Sequence, residues 1–446
     1  MNKTKPVPIY KKKFFLSVGV IFVLTIVCLC LFFIRLSNIK KDDATTVYGV
    51  DLIASYTAAQ MIEAGEISEI YAEVKDDFSV VSSGKFFETA KKSGFHLTPT
   101  RYVYLPIFLA PFQLLNRLSF STVASLWLSL NLLMVIAVIL LEWYFTKDLP
   151  HPIIRLMLIT SLNLSLFPLF YALKLGQTSI LVYLFVCLIY LLTIKKQDSL
   201  AGIFLGIIIT LKFSPLLFAL YFLYRKRYTL ILACTLTVVT ILLISIISYG
   251  FPLHKIYWSY LTKLSNLEIA AWSNQSISAF LLRLFTKNSI LHFSPIKMPI
   301  LLSIIRYALI FSVIGILYIC LKGKQLNHQR LYPLEFSAIV LCFLSIPSIS
   351  WLHYFTLATL SIILFATFYF KLFPFRAWMI IPLMVISYAM IAFHPNYASL
   401  IASFGQGYLA RVVASFPFIG ACGILFINLL LMKAFNRKNS EILKGR

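Results

Sequence analysis

The sequence predicts an all-α polytopic membrane protein, on three observations. Of its 446 residues, 60% are hydrophobic and only 13% are charged, whereas soluble domains carry about 25% charged residues. The apolar residues run in stretches of about 20, the length a helix needs to cross the ~30 Å hydrocarbon core. The net charge of +24 is gathered in short runs between those stretches, as the flanks of membrane spans are. The basic excess therefore does not indicate a nucleic-acid partner. Soluble enzymes, secreted disulfide scaffolds and disordered tails are excluded, and residues 1–446 read as one membrane domain.

Taken in order, the polar N-terminus carries Lys3, Lys5, Lys11, Lys12 and Lys13 and leads into the apolar run Phe14 to Ile34. That run exceeds the 7–15 apolar residues of a secretory signal and lacks its small-residue cleavage site, so it reads as a retained first span. Further spans are expected at 102–118, 121–145, 152–172, 177–194, 200–224, 229–249, 300–321, 334–346, 350–370, 377–393 and 411–432, about twelve in all. With the N-terminus in the cytoplasm, twelve crossings put Arg225 to Arg227, Lys322 to Arg330, Lys371 to Arg376 and the tail Lys433 to Arg446 inside, as the positive-inside rule asks. Lys195-Lys196 falls outside and is the exception. The seven cysteines all lie in apolar runs with no CxxC pair, so they read as small hydrophobes rather than a disulfide or zinc framework.

Two large segments then face away from the cytoplasm, 35–101 and 250–299. The first holds ten of the sixteen acidic residues, Asp42 to Glu88. Within it Leu52, Tyr56, Ala59 and Ile62 recur at helical spacing and Gly65 is a stop signal, which describes an interfacial helix. Asp51 opens that helix. It is either an N-cap, without the Glu or Gln of a capping box, or a general base at the membrane surface. Asp42-Asp43 and Asp76-Asp77 read as solvated pairs, so no metal is expected.

Charges inside spans are expensive and usually functional. Glu142, Arg155, Arg306, Glu335 and Arg411 are placed near span ends, within reach of water. Lys212 is the one basic residue well inside a span: it either snorkels to an interface or meets a lipid-linked phosphate. His353, after Pro347 at an outer span end, is either an interfacial aromatic or a ligand for phosphate or sugar hydroxyl. Asn274-Gln275-Ser276 is formally a glycosylation sequon, or a pair of amides for a sugar. Gly176-Gln177 marks a tight turn. No phosphate-binding nucleotide loop, HExxH or nucleophile elbow is present, so an enzyme of this kind takes its donor from the membrane.

These residues fall in ordered blocks. Asp51 is followed by Tyr56, Ala58-Ala59, Gly65 and Tyr71. Tyr104-Leu105-Pro106 comes next, with Ala110-Pro111, Leu126-Trp127 and Asn131. Gly176-Gln177-Thr178-Ser179 leads to Gly202, Gly206 and Lys212-Phe213-Ser214-Pro215, and the last blocks are Asn274-Gln275-Ser276 and Ser350-Trp351-Leu352-His353. In this order the chain resembles glycosyltransferase family 87, the polyprenyl-phosphate-dependent mannosyl- and hexosyltransferases of the GT-C superfamily. It departs from the family at Leu105, where a second proline is usual, and at Tyr354, where a second histidine is common.

The resemblance implies a GT-C-like bundle with interfacial helices in the first outer loop. It also implies inverting transfer of a hexose, mannose favoured, from a polyprenyl-phosphate sugar to a hydroxyl of a lipid-linked or cell-envelope glycan. Asp51 takes the role of general base. Lys212, Arg101 or His353 meets the leaving phosphate, Asn274 and Gln275 orient hydroxyls, and Tyr104, Gln177 and Trp351 complete the donor and acceptor site. The bilayer, the lipid donor and a lipid or glycan acceptor are the expected partners, with no nucleic acid and no cofactor. The expected address is the plasma membrane with the site on its outer side. A transporter or lipid-linked-glycan flippase is the alternative; it predicts repeat symmetry and paired intramembrane charges, neither of which is evident.

Overall fold

A computed structural model describes residues 9–41, 48–72, 77–93, 99–322, 325–372, 377–393, 399 and 405–444. Their regular structure is helical, with only two isolated bridges, Glu268 to Ile296 and Asn274 to Trp351. In chain order the helices are α1 (Ile9–Lys41), α2 (Val50–Glu63), α3 (Lys85–Lys92), α4 (Ala110–Leu115), α5 (Phe120–Phe145), α6 (Pro152–Ser165), α7 (Phe167–Leu175), α8 (Ser179–Ile194) and α9 (Asp198–Leu211). They continue with α10 (Leu216–Tyr224), α11 (Tyr228–Tyr249), α12 (Phe251–Ser265), α13 (Ile277–Phe285), α14 (Ile300–Leu321) and α15 (Gln325–Ser345). The last are α16 (Ala358–Leu372), α17 (Ala377–Ala392), α18 (Tyr408–Val413) and α19 (Phe416–Lys444).

Among the described residues six helices are long and apolar enough to cross a membrane, and a seventh span is made if α6 and α7, bent by 58°, count as one. The bend has a local cause. Leu166 is extended and Pro168 occupies the first turn of α7, where a proline starts a helix readily but, lacking an N–H, cannot bond back to α6 and continue it. The chain is thus a polytopic helical protein. Each of the twelve expected segments contains helix, but not always a crossing one. Over 102–118, residues 99–105 are irregular and the helical part is Pro106–Leu115. Ten residues rise about 15 Å, half the hydrocarbon thickness.

The segment expected as one span over 200–224 is two helices that turn back. Lys212 is extended at the end of α9, and Pro215 caps the start of α10. The direction follows from α11. A Cβ on Gly202 would meet Leu230 and Cys234, and one on Gly206 would meet Cys234 and Thr237, so α9 and α11 run parallel. Their starting ends lie together, since Arg227 Nη1 donates to the Asp198 carboxylate at 2.8 Å and to the Thr193 carbonyl at 3.1 Å. The chain between them must therefore climb in α9, turn at residues 212–215 and descend in α10. The descending foot is fixed by Glu335 of α15, which accepts from Arg225 Nε at 3.1 Å and from the Tyr221 hydroxyl at 2.8 Å.

This hairpin changes the expected place of Lys195-Lys196. Lys195 and Lys147 both lie over the Tyr144 ring, at 5.7 and 4.7 Å, and Asp148 pairs with Lys371. Lys147, Lys195, Arg225, Arg227 and Lys371 thus gather at one end of the bundle. Glu142 and Glu335, expected near water, are fully buried instead, because each has partners: Glu142 accepts from Asn163 Nδ2 at 2.7 Å and from Tyr183. Arg306 pairs with Glu268, and Arg411 is buried against the backbone carbonyls of Arg283 and Thr286.

Candidate functional site

The site forms at the opposite end, where the first loop folds down onto the bundle. α2 is more enclosed than an amphipathic stripe requires: Leu52 to Ala59 are buried without a break. Gly65, with a φ of 75°, ends it as expected. Its N-cap is Gly49, not Asp51. Asp51 sits in the first turn, and its side chain points inward to accept a hydrogen bond from Gln177 Nε2.

Gln177 is delivered by a turn that favours glycine. Gly176 has a φ of 70°, and its missing Cβ would lie 3.0 Å from Gly49 Cα and 3.1 Å from Leu52 Cβ. The turn is pinned on both sides, by Trp127 Nε1 donating to the Gly176 carbonyl at 2.8 Å and Gly49 N–H donating to Lys174 O at 2.9 Å. The Gln177 side-chain oxygen faces the other way and accepts from Lys212 Nζ at 3.4 Å. One amide therefore links a carboxylate and an ammonium that come from helices far apart in sequence. Tyr104 completes the cluster, its hydroxyl 3.3 Å from Thr178 Oγ1. The Lys212 ammonium lies 4.2 Å from the centroid of the Tyr354 ring, a cation–π contact that offsets part of its lost hydration.

Two adjoining cavities share this cluster. One, of about 280 Å³, is lined by Asp51, Thr100, Arg101, Tyr171 and Ser273 among others. The second, of about 290 Å³, is lined by Lys212, Tyr354 and the apolar faces of α11 and α12, including Leu242 and Trp258. Phe78, Tyr104, Gln177, Trp351 and His353 border both. His353 is 3% exposed, and neither ring nitrogen has a hydrogen-bond partner, so the imidazole reaches this boundary with both nitrogens available. Trp351 stacks on Phe78 at 5.8 Å between ring centroids.

Burial pushes the Asp51 carboxyl above the ordinary carboxylate range; hydrogen bonds from Gln177 and Thr100 and the Lys212 charge act against that shift. A carboxylate raised in this way and aimed into a cavity has the properties of a general base.

Three of the expected site residues stand differently. Asn274 is fully buried: its Nδ2 donates to the Ile269 carbonyl at 2.9 Å, and its Oδ1 accepts from the Ser350 N–H at 2.9 Å. Gln275, equally buried, donates to the Trp272 and Ala414 carbonyls and accepts from the Phe418 N–H at 3.1 Å. The Asn274 amide ties the segment leading into Trp351 and His353 to its neighbours, the Gln275 amide ties its own turn to the start of α19, and the sequon they spell is enclosed. Arg101 borders the first cavity, but its guanidinium donates to four backbone carbonyls, those of Ala72, Asp77, Phe78 and Val80. It holds the loop rather than facing a ligand.

Phe78, Tyr171 and Thr100 line the site and were missed, for lack of a motif around them. Asp42, Asp43 and Asp76 lie outside the described residues; Asp77 accepts from Ser79 at 2.7 Å. Among the described residues no three His, Cys, Asp or Glu side chains group at metal-binding distance.

Residues 102–347, more than half of the chain, match the family model of glycosyltransferase family 87. The chain belongs to glycosyltransferase family 87. The matched stretch contains Tyr104, Gln177, Lys212, Asn274 and Gln275, whereas Asp51 and Arg101 precede it and Trp351 and His353 follow it. No curated protein and no solved structure matches the chain. Family 87 membership makes it a glycosyltransferase, and its helices are those of a membrane protein.

Proposed function

We propose that this family 87 member moves a hexose, mannose favoured, from a polyprenyl-phosphate sugar to a hydroxyl of a lipid-linked or cell-envelope glycan. The observation that carries the reading is the Asp51–Gln177–Lys212 bridge at the boundary of two cavities, one of them walled by apolar helix faces. Such a wall suits a lipid-borne donor. Phe213, next to Lys212, and Trp258 are 60% and 43% exposed, and both line the second cavity; they mark the side on which a polyprenyl chain would lie.

The proposed donor phosphate sits beside Lys212 and His353, with its sugar reaching across the boundary toward Asp51. The acceptor hydroxyl enters the first cavity and gives its proton to an Asp51 oxygen. The acceptor oxygen forms its bond to the anomeric carbon as the bond to the phosphate oxygen breaks and its electron pair leaves with the phosphate. Attack from the face opposite the phosphate inverts the centre. The Lys212 ammonium meets the negative charge that develops on the leaving oxygen, where a fixed cation acts without reorganisation.

The proposed orientation puts the basic end in the cytoplasm, following the positive-inside rule, and the site outside, in the plasma membrane. The test is transfer of radiolabelled hexose from synthetic polyprenyl-phosphate hexoses to a membrane-lipid extract by purified protein. Loss of a general base costs about 10²–10⁴-fold, so Asp51→Asn is expected to lower transfer by that factor with unchanged folding. Equal rates in both proteins would remove Asp51 from the chemistry. Absence of transfer from every donor, with the protein folded, would overturn the donor class.

A further inference from the structure

At the basic end, away from Asp51, the terminal turns of α5, α8 and α16 and the first part of α15 border a half-open cavity of about 520 Å³. It is larger than either cavity of the candidate site. Its charged lining is Lys147, Arg330 and Lys371 against one carboxylate, Asp148. Lys195 adds a fourth cation beside Lys147 at the Tyr144 ring. The other walls are aromatic or apolar, with Phe145, Tyr190 and Phe368 inside and Ile194, 44% exposed, at the margin.

A solvated basic face would account for the lysines alone. It does not account for exposed cations set around the mouth of a half-open cavity whose inner walls are mostly aromatic and whose margin is an exposed apolar side chain at the end of a span. That combination matches a molecule with a phosphate at one end and hydrocarbon at the other. We propose that this cavity binds the phosphate head group of an anionic phospholipid, its acyl chains leaving past Ile194. Basic pockets between helix ends favour such head groups, and an arginine adds bidentate contact to a phosphate.

Asp148 does not block the site. Its pair with Lys371 has side chains 49% and 53% exposed on the lysine and aspartate sides, and ion pairs so open to water are weak, so a phosphate can take over the lysine. Occupancy would tie together the lower ends of α8 and α16, whose upper ends follow Gln177 and His353. The lipid would then act as a clamp on the bundle rather than as a substrate.

The test uses the full chain in detergent, with lipid retention read by native mass spectrometry and stability by thermal unfolding. The probes are phosphatidylglycerol, phosphatidylcholine and inorganic phosphate. Phosphatidylglycerol is expected to be retained and to raise the unfolding temperature, and the other two are not. Each cation removed should weaken retention about fivefold, as read in Lys371→Ala and in Arg330→Ala with Lys371→Ala. Asp148→Asn should strengthen it by removing the competing carboxylate. Equal retention of the two lipids, or unchanged retention in the double variant, would overturn the proposal. If the double variant does not fold, unchanged or weaker retention by Asp148→Asn would overturn it instead. An equal rise in unfolding temperature with inorganic phosphate alone would replace the lipid by a soluble phosphate.

Discussion

A Cβ on Gly176 would stand 3.0 Å from the Cα of Gly49. The two glycines are the point at which the first loop meets the bundle, one residue before Gln177 and two before Asp51. Both have positive φ, so the close contact and the left-handed backbone each disfavour a side chain. Gly176→Ala is expected to cost at least about 1–2 kcal/mol from the left-handed conformation alone, with the clash added. It should also separate Gln177 from Asp51. Thermal unfolding reads the first effect, and transfer assayed well below the unfolding temperature reads the second. A variant as active and stable as the parent would show that the contact does not set the site.

The pH dependence follows from burial of Asp51. Its pKa is raised above the ordinary carboxylate value, about 3.9 in model peptides. If it is the base, kcat/KM falls as pH drops through that raised value, so the acid limb should lie above the ordinary carboxylate range. The Lys212 charge lowers the Asp51 pKa, so Lys212→Met should move the limb further up. Stability has the sign of a raised group. The contribution is fully present below the unfolded pKa and is lost as pH rises through the folded one. An acid limb that Lys212→Met leaves in place would separate the two residues.

Asn274 and Gln275 are expected to matter for folding more than for substrate. Their amides satisfy buried backbone groups, and each group left unsatisfied costs about 1–3 kcal/mol. Asn274→Ala and Gln275→Ala should lower the unfolding temperature by several degrees. KM for donor and acceptor should stay close to the parent value in whatever protein remains folded. A raised KM at unchanged stability would instead place these amides in contact with sugar.

The hairpin of α9 and α10 predicts a labelling pattern. Cysteines at Lys196 and Lys226 should both react with an impermeant maleimide from one side of sealed vesicles. A cysteine at Ser83, in the first loop, should react from the other. Reaction of Lys196 and Lys226 from opposite sides would mean that residues 198–224 cross the membrane once.

Much of this was legible in the sequence, for identifiable reasons. Each apolar run became helix because burial of backbone polar groups in lipid leaves little else. Asp51, Lys212 and His353 stood out by residue type and position and Gln177 only through the family resemblance, and the structure brings all four to one pair of cavities. What the sequence hid was direction. Lys212-Phe213-Ser214-Pro215 contains a helix break, but a break says nothing about whether the chain continues or returns. Gly202 and Gly206 hold that information only through their contact with α11. Side-chain partners were equally hidden: Asn274 and Arg101 look alike as ligands or as struts until the carbonyls around them are in place.

The hairpin has both feet fixed at one surface, by Arg227 to Asp198 and Arg225 to Glu335. Its tip therefore has a fixed reach. Fourteen residues of α9 rise about 21 Å, short of the ~30 Å hydrocarbon layer. The lysine is hung at a depth set by a ruler that starts from the far leaflet. In a thicker bilayer that ruler ends deeper beneath the head groups on the side of the site, and in a thinner one nearer to them. The thickness of the surrounding lipid thereby becomes a variable of the lysine's hydration, with no change in any contact the protein makes to itself.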